Sequence, residues 1–264
     1  MRYTVFSGCS YTAGVGLLNQ SLDSDLWVNI LHSTVDRLKT TQLMNVGKSG
    51  GTNRDIFLNA IDAVSTVDCE YLFVSWTELF RMHLDPGTET YSTKLYFGPK
   101  SQINDVNLNN GITYSAKYIE NIKNRLFDLY SPHYLMVEIV NYTNVLKKLC
   151  DKLGITVFFL NALVTEWDRN YFDQITEPNR TPSMTTKFTQ QMLNATLRDD
   201  NEYFKIYDRI HQEYNGITQC NWLNIDQCYR NDFFLDRGLD NLHPGIKSNR
   251  AFATFLIQKL QAFL

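Results

Sequence analysis

The sequence predicts an α/β fold built on a mostly parallel sheet, and three observations carry that expectation. Over the first 80 residues, short apolar runs of strand length alternate with segments of helical periodicity. The connections between them are short, which implies parallel pairing through right-handed crossovers. The run Tyr71–Trp76 is apolar almost throughout, as expected of a buried strand.

The elements follow in order. Tyr3–Phe6 reads as the first strand. A helix is expected over Asp25–Leu38, where Leu26, Ile30, Leu31, Val35 and Leu38 recur at helical spacing. Leu43–Val46 forms the second strand and runs into Gly47, Lys48, Ser49, Gly50 and Gly51. The next helix spans Asn53–Val64, with Ile56, Ala60, Ile61 and Val64 on one face. Tyr71–Trp76 is the third strand. Residues 85–113 hold three turn signals (Pro86-Gly87, Gly98-Pro99 and Asn110-Gly111) and read as an excursion with a β-hairpin around Tyr91–Phe97. A long helical pattern over Tyr114–Leu153, broken near Ser131 and Pro132, leads into the strand Ile155–Leu160. Residues 165–200 read as a polar excursion with one helix near Thr186–Leu197. The final helix starts at Ile246 and places Phe252, Leu256, Leu260 and Phe263 on one side. With no repeat or linker, residues 1–264 are expected to form a single domain with insertions near 85–113 and 165–200.

Composition narrows the function classes. Of 264 residues, 44% are hydrophobic and 20% charged, the balance of a globular chain. The 25 Lys and Arg against 28 Asp and Glu give a net charge of -3, which argues against a broad nucleic-acid footprint. No apolar stretch approaches the roughly 18–20 residues of a membrane span, and strand patterning begins too early for a signal peptide. Five dispersed cysteines without a CxxC pair suggest neither a zinc site nor a disulfide framework. A cytoplasmic location is therefore expected. The aromatic residues, 13% of the chain, are assigned mainly to the core.

In open α/β sheets, ligands bind beyond the carboxyl ends of the strands, so the residues after each strand are the place to search for chemistry. After the first strand stand Gly8, Cys9, Ser10, Tyr11, Thr12, Ala13 and Gly14. A serine in such a turn can meet backbone amides that face the same space. The run is not a GxSxG elbow, because Thr12 replaces the second glycine. After the second strand, Gly47-Lys48-Ser49 superficially suggests a phosphate loop, but the required earlier glycine is Gln42. Gly50 and Gly51 instead stand at the entry to a helix, where backbone amides are expected to suit an anion or an oxyanion. Near the C-terminus, Asp240 and His243 stand three residues apart, a spacing that lets the carboxylate hold the imidazole in one tautomer. The other histidines (His32, His83, His133 and His211) have no such neighbourhood and are assigned structural or surface roles.

Together these segments resemble the SGNH hydrolase superfamily of GDSL-type esterases and lipases. Gly8-Cys9-Ser10 is similar to the Gly-Asp-Ser block, with Cys9 in place of the aspartate. The stretch from Asn45 to Gly50 is similar to the glycine block, and Asp240 with His243 to the Asp-x-x-His block. The resemblance spans the chain and implies a three-layer sandwich of flavodoxin-like topology. It also implies a Ser10–His243–Asp240 triad and an oxyanion hole formed by Ser10, Gly50 and Thr77. The third block departs: Ser75-Trp76-Thr77-Glu78 stands where the family has Gly-x-Asn-Asp, so Thr77 replaces an asparagine donor. Asn53 is a candidate substitute.

The implied activity is hydrolysis of an ester, with a short acyl group on a carbohydrate-like scaffold as the expected substrate. The chemistry needs neither metal nor organic cofactor, and the implied partner is a small-molecule or carbohydrate ester. The competing expectation is a catalytically weak or inactive binding or structural module on the same fold, for example for carbohydrate recognition, suggested by Thr77 and by the aromatic stretches Tyr91–Phe97 and Trp167–Phe172.

Overall fold

A computed structural model describes residues 1–18, 22, 24–77, 81–84, 95–97, 106–107, 113–129, 132–161, 221–222, 233–261 and 263. The expected helix near Thr186–Leu197 and the stretch Trp167–Phe172 lie outside the described residues, as does Glu78. The chain forms two compact units. One comprises Met1–Glu78, Asn141–Trp167 and Ile217–Leu264, the other Leu79–Val140 and Asp168–Gly216.

Nine strands and seven helices are described. The elements run β1 (Tyr3–Ser7), α1 (Ser10–Ala13), α2 (Trp27–Thr34), α3 (Asp36–Lys39), β2 (Gln42–Asn45), α4 (Asn53–Thr66) and β3 (Cys69–Trp76). Next come β4 (Met82–Leu84), β5 (Leu95–Phe97), β6 (Val106–Asn107), β7 (Thr113–Tyr114), α5 (Ala116–Leu129) and α6 (Pro132–Leu153). The last are β8 (Thr156–Asn161), β9 (Asn221–Trp222) and α7 (Ile246–Leu260). The first unit holds a five-stranded sheet in the order β2-β1-β3-β8-β9, parallel throughout. Counted along this sheet alone, the order is 2-1-3-4-5, the flavodoxin-like arrangement with its switch point between β1 and β3. The fold is thus α/β, as the alternation predicts. In the second unit β4 pairs antiparallel with β5, and β6 with β7. Of the hairpin expected around Tyr91–Phe97, Leu95–Phe97 forms β5 and pairs with β4, while residues 91–94 lie outside the described residues.

Side chains alternate across the pleat, and each face of the sheet has its own aromatic cluster. On one face the register aligns Phe6 with Phe73 and Phe73 with Phe158. Their rings stack at centroid distances of 4.7 and 4.9 Å. Trp27 of α2 meets Phe6 edge-on at 5.6 Å, and Phe252 of α7 meets Trp27 at 5.3 Å. On the opposite face, Trp76 lies 6.3 Å from Phe159 and 6.4 Å from Tyr142 of α6. Phe57 of α4 stacks on Tyr142 at 4.4 Å. Helices therefore cover both faces, which makes the three-layer sandwich.

Three local features differ from the expectation. The helix expected over Asp25–Leu38 is two helices, because Val35 is extended at φ -82°, ψ 118°. A β-branched residue yields to that geometry more readily than a straight-chain one. Strand β9 has only two residues, too few for a periodic signal. Phe263 lies past the end of α7 and is 49% exposed, whereas Phe252, Leu256 and Leu260 are buried. Among the described residues, no helix is long and apolar enough to cross a membrane.

Candidate active site

The first loop turns where a side chain cannot fit. A β-carbon on Gly8 would lie 2.0 Å from Thr12 Oγ1 and 2.7 Å from Thr12 Cβ, so any larger residue there would have to displace Thr12. Cys9 is extended and Ser10 begins the four-residue α1, which ends at Gly14 in the left-handed region (φ 80°). Ser10 itself is 3% exposed, less open than its turn suggested.

The second loop is laced to the first. Asn45 Nδ2 donates to the Thr12 carbonyl at 2.7 Å, and the Lys48 amide donates to the Gly8 carbonyl at 2.9 Å. A β-carbon on Gly47 would stand 2.7 Å from the Ala13 nitrogen, which requires glycine at that crossing too. Gly50 adopts φ 65° at the turn into α4. Thr52 and Asp55 form a reciprocal capping box at the start of that helix, and Lys48 pairs with Asp55 at 3.0 Å.

Beyond β3 lies Thr77, fully buried. Its N–H donates to Asn53 Oδ1 at 2.8 Å, and Asn53 Nδ2 donates to its carbonyl at 3.1 Å. Thr77 Oγ1 is buried without a hydrogen-bond partner among the described residues. The β1–β3 register pairs Ser7 with Val74, and Ser10 and Thr77 each lie three residues further along at the carboxyl edge.

Asp240 and His243 belong to the segment just before α7. Asp240 Oδ2 lies 2.5 Å from His243 Nδ1, while its Oδ1 accepts the Leu242 and His243 amides at 3.0 Å each. Burial alone would raise the Asp240 carboxyl; the hydrogen bonds from the two amides and the imidazole outweigh it and hold the group at about 2. The carboxylate that orients the ring is therefore firmly ionised. Asp236 anchors the same segment, since its carboxylate accepts the Lys247 and Ser248 amides and the Ser248 hydroxyl. It supplies the cap that Gly245 cannot, and its carboxyl is held below the ordinary range: burial pushes up, and the Ser248 and Lys247 contacts prevail.

The two chain ends meet through Gly16, Leu239 and Tyr11. Leu239 N–H donates to the Gly16 carbonyl at 2.9 Å. The rings of Tyr11 and His243 lie edge to face at 5.6 Å. Among the described residues, no hydrogen bond joins Ser10 Oγ to His243, and such contacts often tighten only when substrate binds. Asn53, considered as a substitute donor, is committed to the Thr77 backbone. Sequence reasoning missed the Asn53–Thr77 clamp, Gly16 and Asp236. None of the three had a local signal: Asp236 caps a helix that begins ten residues further along the chain. His32, assigned a structural or surface role, lies 3.4 Å from Thr41 Oγ1, and burial pulls its ring below the usual range.

Fold and loops describe a parallel α/β sheet whose carboxyl edge carries a serine turn, a glycine turn and a buried threonine, with an Asp–His pair docked on the first loop. No protein-family profile and no curated protein matches the sequence. Among solved structures, the chain is similar to TesA at 11% identity and a TM-score of 0.48, covering 100% of both chains. It is also similar to the psychrotrophic esterase EstA from Pseudoalteromonas sp., at 10% identity and a TM-score of 0.47, covering 99% of this chain and 97% of that one. A third is a GDSL-like lipase from Bacteroides thetaiotaomicron, at 14% identity and a TM-score of 0.44, covering 100% of this chain and 89% of that one.

Proposed function

We propose that the protein is a serine esterase of the SGNH type. The observation that carries the reading is the Asp240–His243 pair, 2.5 Å apart and docked on the Ser10 loop. With Nδ1 turned to Asp240, His243 has Nε2 left to take a proton. Ser10 Oγ attacks the acyl carbon as its proton passes to Nε2, and the carbonyl π electrons move onto oxygen. The amides of Ser10 and Gly50 and the Thr77 hydroxyl stabilise that oxyanion. When the tetrahedral intermediate collapses, the C–O bond to the alcohol breaks, and the alcohol leaves with the proton from His243. Water, deprotonated by the same nitrogen, then attacks the acyl-enzyme and releases the acid and free Ser10.

The substrate we favour is a short acyl ester on a carbohydrate-like scaffold, turned over in the cytoplasm without a cofactor. Hydrolysis of short-chain esters, long-chain esters and acetylated sugars, with Ser10→Ala as the blank, tests both activity and class. Turnover confined to long-chain esters would contradict the assigned class, and equal rates in the blank would contradict the nucleophile. One observation favours a second reading, a binding module: Thr77 stands in place of an asparagine and is fully buried. A folded protein that binds acetylated sugars and turns over none of the esters would establish it.

A further inference from the structure

We infer that Asn53 is a positioning residue that sets Thr77 for its part in the oxyanion hole, an inference that rests on the esterase reading above. The β3–β8 ladder ends at the pair Trp76 and Asn161, so Thr77 lies just past the last strand partner. Its N–H and C=O would be unpaired in a fully buried place. Asn53 supplies both partners: its carboxamide oxygen accepts at 2.8 Å and its Nδ2 donates at 3.1 Å, as one more strand residue would. Asn53 is itself 7% exposed and is the first residue of α4, three residues after Gly50. One carboxamide thus ties the loop carrying the Gly50 amide to the end of β3.

The clamp holds the Thr77 backbone and leaves the side-chain hydroxyl unspent. Thr77 Oγ1 has no partner among the described residues, although burying an unpaired hydroxyl is unfavourable. A donor fixed through its backbone with its own hydrogen uncommitted suits charge that appears only in the transition state. Asn53 then acts on the reaction through Thr77 and not by touching the acyl oxygen.

The test measures kcat and KM for p-nitrophenyl acetate in wild type, Asn53→Ala, Asn53→Asp, Thr77→Val and the double variant Asn53→Ala/Thr77→Val. Fluorophosphonate labelling of Ser10 is followed in parallel. Asn53→Ala is expected to lower kcat about tenfold or more while KM stays within about twofold, because the lost contact belongs to the transition state. In the Thr77→Val background the same change is expected to cost little more, since the group being positioned is already gone. Asn53→Asp keeps the acceptor for the Thr77 N–H, so an intermediate kcat is expected; it also provides the readout if Asn53→Ala does not fold. Wild-type kcat in either folded Asn53 variant, or an equal cost with and without Thr77, overturns the positioning role while Ser10 labelling leaves the esterase reading intact. Failure of wild-type Ser10 to label overturns both.

Discussion

A β-carbon on Gly16 would stand 2.9 Å from the β-carbon of His243 and 3.1 Å from Asp240 Oδ1. Gly16 also adopts φ +93°, a region that side chains other than glycine's rarely enter. The loop after β1 therefore presses bare backbone against the Asp–His pair, which couples the two ends of the candidate site. Gly16→Ala is expected to cost about 1–3 kcal/mol in strain and clash. Thermal unfolding should show this as a lowered Tm, at about 2–4 °C per kcal/mol for a domain of about 150–250 residues. Ester turnover should fall about tenfold through the displaced pair, by analogy with small misplacements elsewhere. A variant matching wild type in both would show that the close approach is dispensable.

The Asp240 carboxyl sits at about 2 in the folded chain, against an ordinary value of 3.8. Between those values the unfolded chain binds more protons, so stability rises with pH across the window. The contribution is fully present above the unfolded value and is lost as pH falls through about 2. Asp236 is shifted in the same direction and adds to the same acid loss. Urea midpoints at about pH 6 and about pH 2.5, which bracket the upper part of that window, should fall less in Asp240→Asn than in wild type. Equal losses would show that Asp240 is not the coupled group.

Asp240→Asn also bears on catalysis, because an amide no longer fixes the imidazole tautomer. A kcat lower by about 10²–10⁴ is expected, with Ser10 still present. Asp240 stays charged down to about 2, so the acid loss of turnover in wild type should contain no step that belongs to Asp240. An acidic step that disappears in Asp240→Asn would contradict this.

Thr77→Val separates catalysis from folding. The variant keeps the shape and removes a buried hydroxyl that has no partner among the described residues. Stability should be unchanged or slightly higher, because nothing is left unpaired. If the hydroxyl donates to the oxyanion, kcat should fall about 10²–10³. Unchanged turnover in the folded variant would remove Thr77 from the site.

Phe73 stands in the middle of the stacked trio, 4.7 Å from Phe6 and 4.9 Å from Phe158 by centroid. Phe73→Ala should destabilise the protein by about 3–5 kcal/mol in chemical denaturation, through lost burial and a residual cavity. A cost below about 1 kcal/mol would mean that the sheet closes over the gap.

What was legible in the sequence was local. Tyr71–Trp76 declared a buried strand because neither face had to be polar, and Gly50 announced a turn that proves to have φ 65°. The three-residue spacing of Asp240 and His243 identified their pairing without any knowledge of the fold. What stayed hidden depends on tertiary approach. Asn53 and Thr77 lie 24 positions apart, and a side chain pairing with backbone leaves no periodic trace. Gly16 looked like any loop glycine, because its constraint comes from residues at the far end of the chain. Val35 kept the helical spacing of its neighbours and still broke the helix, since periodicity reports which face is buried and not whether the backbone continues.

The central claim is that Ser10 is an activated nucleophile served by His243. Treating the folded protein with a fluorophosphonate probe and mapping the modified peptide tests it most directly. The expected result is one modified residue, Ser10, labelled quickly in wild type, at least about 10²-fold more slowly in His243→Ala, and not at all in Ser10→Ala. Labelling that is absent from Ser10 in the folded wild-type protein, or equally fast without His243, would contradict the account.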